Sequence, residues 1–128
     1  MHLVPAERVG RRIIEDEKVC AAILGIGDID NVSASAERFA VLGSPSRLTI
    51  LLALHHAGPI SVSDLAVAAD MTDSSVSQAL RLLKTAGVVR SERDGRVVRY
   101  RLACEQTAGL LDAIAPAGSP PGRRRTAT

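Results

Sequence analysis

The chain has 128 residues, a length suited to one small domain with tails, and its formal net charge is only +2. Phe39 and Tyr100 are its only aromatic residues, so the core has to be assembled from Leu, Ile, Val and Ala. That palette favours helices over an all-β sandwich and leaves a core thin enough to be completed by a second copy. Two cysteines, Cys20 and Cys104, make no disulfide framework, no apolar run reaches membrane-spanning length, and Met1–Gly10 carries Pro5, Glu7 and Arg8 in place of an apolar leader core; a cytoplasmic protein without a membrane partner is expected.

The first element expected is an amphipathic helix over Ala6–Leu24, with Val9, Ile13, Cys20 and Leu24 near one face and Glu17 interrupting it. Gly25-Ile26-Gly27-Asp28 breaks that pattern, and Asp30–Ser35 reads as a polar connector. A short helix follows at Ala36–Leu42. Gly43-Ser44-Pro45 ends it, and Ser44 and Pro45 then suit the cap and first turn of a helix over Pro45–His56. That helix is apolar on most of its circumference and is expected to be buried; His55 and His56 at its end suit the helix dipole.

Ile60–Ser63 leads into a short helix at Asp64–Ala69, with Ser61 or Ser63 as cap. Asp70–Asp73 is a turn, and Thr72 or Asp73 caps a helix over Ser74–Ala86 whose apolar face is Val76, Leu80, Leu83 and Ala86. Gly87 stands where a helix of this kind ends. The period then changes to two. Val88–Arg90 begins a strand, Asp94-Gly95 signals a hairpin turn, and Val98, Tyr100 and Leu102 alternate with Arg99 and Arg101. Thr107–Ile114 is a final helix, and Pro116–Thr128, rich in Pro, Gly and Arg, is expected to be a disordered tail.

Two short helices joined by a tight turn and followed by a basic hairpin make a winged helix-turn-helix, mainly α with a small β-hairpin. The second helix of such a pair must present a slim polar face to the major groove. Ser74, Ser75, Ser77, Gln78, Arg81 and Lys84 meet that demand, and the cap hydroxyls of Ser61 and Thr72 join the expected DNA-binding set. Gln78 is a residue type that pairs bidentately with adenine, and Arg81 and Lys84 reach phosphates or guanine edges. Five arginines between Arg90 and Arg101, against Glu92 and Asp94, point to a polyanion partner.

The stretches LGSPSRLTILLAL (Leu42–Leu54), SVSDLAVAADMTDSSVSQALRLLKTAGVV (Ser61–Val89) and RDGRVVRYRL (Arg93–Leu102) resemble the ArsR/SmtB family of bacterial repressors over Ala36–Ile114, with MarR-like winged-helix regulators the nearest confusion. The resemblance implies a homodimer built from the first and last helices. Residues 1–35 would then be a dimerisation arm, 36–115 the DNA-binding domain and 116–128 a tail. It implies recognition of a palindromic operator by Ser74–Ala86, with Arg93, Arg96 and Arg99 of the wing near the backbone or minor groove, and repression relieved by an effector. One metal site of the family uses a Cys-x-Cys pair, which here falls on Ser61-Val62-Ser63-Asp64 without a cysteine; a second falls on Cys104, Gln106, Ala117 and Pro120, of which only Cys104 is a residue type that could bind metal, so both sites are expected to be largely dismantled. The residues left for a transition-metal effector such as nickel, cobalt or zinc, or for a thiol pair, are Cys20, Cys104 and His2. The alternative is that both cysteines are small buried apolar side chains. An effector-independent DNA-binding protein, one regulated by a protein partner, and a winged helix used as a protein-docking module remain open. No nucleophile–base pair or phosphate loop points to an enzyme.

Overall fold

Helix formation begins at Asp16, not at Ala6, in the computed structural model of the chain, which describes residues 3–115. The chain divides into two units, residues 1–37 and residues 38 onward. In the first, a single 3-10 turn at Ala6–Arg8 is followed by non-helical chain up to α1, Asp16–Ile26. The uninterrupted helix expected over Ala6–Leu24 fails because Gly10 and the β-branched Ile13 and Ile14 occupy its middle, and a glycine alone costs about 1 kcal/mol there relative to alanine. Gly27 (φ 66°) closes α1 by donating its N–H to the Ile23 carbonyl at 3.1 Å.

The next helix, α2, runs Ile29–Leu42, so the segment Asp30–Ser35 is helical and not a connector. The Asp28 carboxylate accepts the Asp30 N–H at 3.0 Å and starts the helix. Asp30, Asn31 and Ser33 sit on solvated faces, while Ile29, Val32, Ala36 and Phe39 recur at helical spacing.

In the second unit, α3 (Pro45–Ala57) opens with Ser44 Oγ accepting the Arg47 N–H and buries Ile50, Leu51 and Leu54. β1 (Ile60–Ser61) is a strand too short to show a period; it pairs antiparallel with β3 at Ile60↔Tyr100 and Ser61↔Arg99. α4 (Val62–Ala69) and α5 (Asp73–Thr85) form the helix-turn-helix. Between them Asp70 adopts the left-handed conformation (φ 55°, ψ 53°), and Met71 N–H bonds the Ala66 carbonyl at 3.0 Å. Aspartate is among the few non-glycine residues that tolerate this geometry.

Gly87 (φ 77°) ends α5 as expected. Its N–H bonds the Lys84 carbonyl and the Val88 N–H bonds the Leu83 carbonyl, each at 3.0 Å, the paired bonds of a Schellman motif. β2 (Val89–Asp94) and β3 (Val97–Leu102) form the wing, in a sheet of order β1-β3-β2. Asp94 pairs with Val97, so the turn is Gly95-Arg96, one residue later than the Asp-Gly signal implied. Of the two turn residues only Gly95 (φ 64°) has positive φ, which fits a type II′ turn. The last helix, α6 (Glu105–Ile114), starts two residues before its expected position.

The core joins Ile50, Leu51 and Leu54 of α3 to Leu65 and Ala66 of α4, Val76, Leu80 and Leu83 of α5, Val88 and Val89 at the wing, and Leu111 of α6. It is wholly aliphatic; Tyr100 packs on its edge. The expected tail and His2 lie outside the described residues.

Candidate nucleic-acid interface

At 100° per residue, the buried Val76, Leu80 and Leu83 fix one side of α5. Ser74, Gln78 and Arg81 fall on the opposite side, exposed, and none has a side-chain partner among the described residues. Thr72 caps the helix: its Oγ1 accepts the Ser75 N–H at 3.1 Å and donates to Ser75 Oγ at 2.9 Å. The Thr72 and Ser75 hydroxyls therefore hold the helix start in shape. Ser61 does the same for α4, accepting the Asp64 N–H at 3.2 Å. Ser77 is half-buried on the flank. Lys84 donates from Nζ to Ser91 Oγ at 2.9 Å, which ties the end of α5 to β2. Of the α5 residues expected to face DNA, the free exposed subset is thus Ser74, Gln78 and Arg81.

One surface near Gln78 was missed by sequence reasoning. Ser44, Ser46 and Arg47 at the start of α3 line a groove of about 360 Å³ with Ser75 and Gln78 of α5. Gly43-Ser44-Pro45-Ser46 reads as a cap signal in the sequence, and nothing local says that the cap abuts the second helix of the pair.

The wing distributes its charge differently from the simple count. Cross-strand register puts Arg90, Glu92 and Asp94 on one face with Val97, Arg99 and Arg101; Arg93 lies on the other, opposite Val98. Arg93 and Arg99 therefore point to opposite faces, with Arg96 at the tip, and the three do not form one patch. Arg99 donates to Asp94 Oδ2 at 3.0 Å and Arg101 to Glu92 Oε1 at 2.9 Å. Arg90, Arg93 and Arg96 have no ion-pair partner among the described residues.

The two cysteines are free. Cys20 lies on α1 in the first unit; Cys104 is the N-cap of α6 in the second. Among the described residues no three His, Cys, Asp or Glu side chains gather as metal ligands. The groups facing Cys104 favour its thiolate. The Thr107 N–H lowers the thiol pKa most, burial opposes it, and the Thr107 hydroxyl, the Gln106 N–H and the Arg38 guanidinium add to the lowering. The neutral sulfur makes no capping hydrogen bond of full geometry, so these donors act on it mainly once it is charged. His55 Nε2 meets Asp112 Oδ1 at 3.1 Å and His56 Nε2 meets the Ala115 carbonyl at 3.0 Å; both tie the end of α3 to α6. No single helix among the described residues is long and apolar enough to cross a membrane.

A helical aliphatic core, a helix whose free face is polar, and an arginine-bearing hairpin beside it define a winged helix-turn-helix protein. A MarR-family profile matches residues 44–97, from the cap of α3 to the first residue of β3. The repressor SmtB of Mycobacterium tuberculosis is 42% identical over 88 residues, which are 68% of this chain and 64% of SmtB. The cadmium resistance regulatory protein CadC of Listeria innocua is 36% identical over 99 residues, 77% of this chain and 82% of CadC. The homodimeric winged helix-turn-helix DNA-binding domain Mb0332 of Mycobacterium bovis, described as a possible ArsR-family regulator, superposes with a TM-score of 0.56 at 31% identity, over 83% of this chain and 85% of that one. The chain belongs to the ArsR/SmtB family of winged helix-turn-helix transcriptional regulators. Its match spans just under two thirds of the length of SmtB.

Proposed function

We propose that the chain is a sequence-specific DNA-binding repressor that acts as a homodimer on a palindromic operator. The observation that carries this reading is the free polar face Ser74–Gln78–Arg81, set opposite three buried aliphatic residues on a helix whose cap and end are both fixed. Gln78 would read a base edge in the major groove, Ser74 would allow close approach of the backbone, and Arg81 would meet phosphate or guanine. Arg93 and Arg96, exposed on the wing, would meet the adjacent backbone. Residues 1–35 would supply a dimerisation arm: Leu24, Ile26 and Ile29 are between 58% and 69% exposed, an apolar surface that a partner copy would cover.

The test is selection of duplexes from a random pool by the full chain, followed by anisotropy titration of the winners across salt. Enrichment of a palindrome with half-sites about one helical turn apart, bound with a steep inverse salt dependence, supports the reading. Absence of enrichment, or binding indifferent to salt, overturns it. A metal-ion effector is supported by the likeness to CadC, a cadmium resistance regulatory protein, and nickel, cobalt, zinc and cadmium are the ions to test. A titration in which one of these ions lowers operator affinity supports it; an ion that binds and leaves operator affinity unchanged favours the effector-independent alternative.

A further inference from the structure

At the base of the wing a cavity of about 300 Å³ is lined by Arg90 and Arg101 from the strands and by Cys104 and Glu105 from the start of α6. That volume lies at the small end of ligand sites. Arg90 and Arg101 sit directly opposite each other in the β2–β3 register, a like-charge pair that destabilises a sheet unless something neutral or negative comes between. Glu92 takes up Arg101, and Arg90 is left without a partner among the described residues. Beside the sulfur stands an unusual group. Thr107 is 0% exposed, and among the described residues its Oγ1 has no hydrogen-bond partner of good geometry. A buried hydroxyl left in that state costs stability unless it has an acceptor in some functional state. The Cys104 sulfur heads the same ten-residue helix, where the Thr107 N–H and hydroxyl and the Gln106 N–H favour its thiolate.

We propose that Cys104 is a thiol-exchange site for small anionic disulfides. The reagent's anionic group sits against the Arg90 and Arg101 guanidiniums. The Cys104 thiolate, its proton given up to solvent, attacks the nearer sulfur; the disulfide's S–S bond breaks, and the far half leaves as a thiolate carrying the electron pair. Cys104 is left as a mixed disulfide in the cavity. The Thr107 hydroxyl and helix N–H groups hold the charged sulfur before attack, which answers why that hydroxyl is kept buried. Cys20, in the other unit and in mid-helix, serves as the internal comparison.

The experiment uses the full chain as Cys20→Ser and Cys104→Ser variants, each with one remaining thiol. Rates of exchange are measured with dithiobis(nitrobenzoate), a dianionic disulfide, and with dithiodipyridine, a neutral one, and the adducts are confirmed by mass. At low salt Cys104 should react about tenfold faster than Cys20 with the dianionic reagent, the scale of electrostatic focusing in a charged cleft, and show a smaller advantage with the neutral one. Arg90→Gln, on an exposed strand position, should remove the anionic preference and leave the neutral rate unchanged. Thr107→Val should raise the midpoint of the pH–rate profile. Equal preferences for the two reagents, or a preference that survives Arg90→Gln, would overturn the proposal.

Discussion

Asp94→Asn tests whether the wing meets DNA at the face that carries Arg99. Arg99 and Asp94 are 3.0 Å apart, with side chains 39% and 84% exposed. Two unit charges at that distance attract by about 1.4 kcal/mol in bulk water, and ordering two exposed side chains offsets most of it, leaving roughly 0–1 kcal/mol. The substitution should therefore lower folding stability by less than about 1 kcal/mol. On the proposed reading the substitution shows instead in the salt dependence of DNA binding. With its carboxylate gone, Arg99 is free to meet a phosphate, and the plot of log affinity against log salt should steepen by about 0.9 for each wing engaged. Between about 50 and about 200 mM salt, one further phosphate contact adds roughly a 3.5-fold loss of affinity. Anisotropy of a labelled operator duplex across that range measures it, with Arg96→Ala as the opposite control, expected to flatten the slope by about one unit per wing. A slope for Asp94→Asn equal to the wild-type slope would mean that Arg99 stays clear of the duplex, and the assignment of that face would be wrong.

Gln78→Ala should cost about 1–3 kcal/mol at one base-pair position and leave others untouched, read by affinities for single-substituted operators; a uniform loss would move Gln78 to a backbone contact. Leu80→Ala, at a position 0% exposed, should destabilise by about 2–5 kcal/mol in urea unfolding with a retained m-value, and a loss under 1 kcal/mol would contradict the packing described for α5. Thr72→Ala removes the acceptor of the Ser75 N–H and should cost about 1 kcal/mol, whereas Thr72→Ser should restore most of it. Because the folded chain lowers the Cys104 pKa, its thiolate contributes stability in full above the ordinary thiol pKa, and that contribution is lost as pH falls through the folded value; unfolding free energy of the wild type relative to Cys104→Ala should rise with pH across that interval.

How much of this was legible before the structure depended on whether the cause was local. The α5 helix, its cap at Thr72 or Asp73 and its Gly87 terminus are written in neighbouring residues, and the start of α3 was marked by Ser44-Pro45. The start of α2 was not read because Asp30, Asn31 and Ser33 are loop-favouring types; Asp28 as cap and the Ile29–Val32–Ala36–Phe39 spacing outweigh them. The N-terminal stretch failed in the other direction, where a plausible apolar face concealed Gly10 in its middle. What local reading could not reach were the bonds made across the fold. Lys84 to Ser91, Arg99 to Asp94 and Arg101 to Glu92 depend on strand register and on where α5 delivers the chain, and they decide which of the expected DNA-facing side chains are free.

The register of the wing has an electrostatic cause that the turn signal hides. Had Asp94-Gly95 formed the tip, Arg90 would stand opposite Arg99 and Arg93 opposite Arg96, two like-charge pairs, with Glu92 facing the apolar Val97. In the register formed, Glu92 faces Arg99, Asp94 lies diagonal to it, and Arg90↔Arg101 is the single like-charge pair that remains, with Arg101 already held by Glu92. Each opposed like-charge pair disfavours a strand pairing by a fraction of a kcal/mol, and the type II′ turn at Gly95 is available at no steric cost, so the shifted register wins. Glu92 and Asp94 therefore act in two ways. They set which residues face one another in the hairpin, and by pairing two of the five arginines they determine which ones remain free for a phosphate rail. A count of basic residues overstates the charge a wing can offer; the register determines how much of it is available.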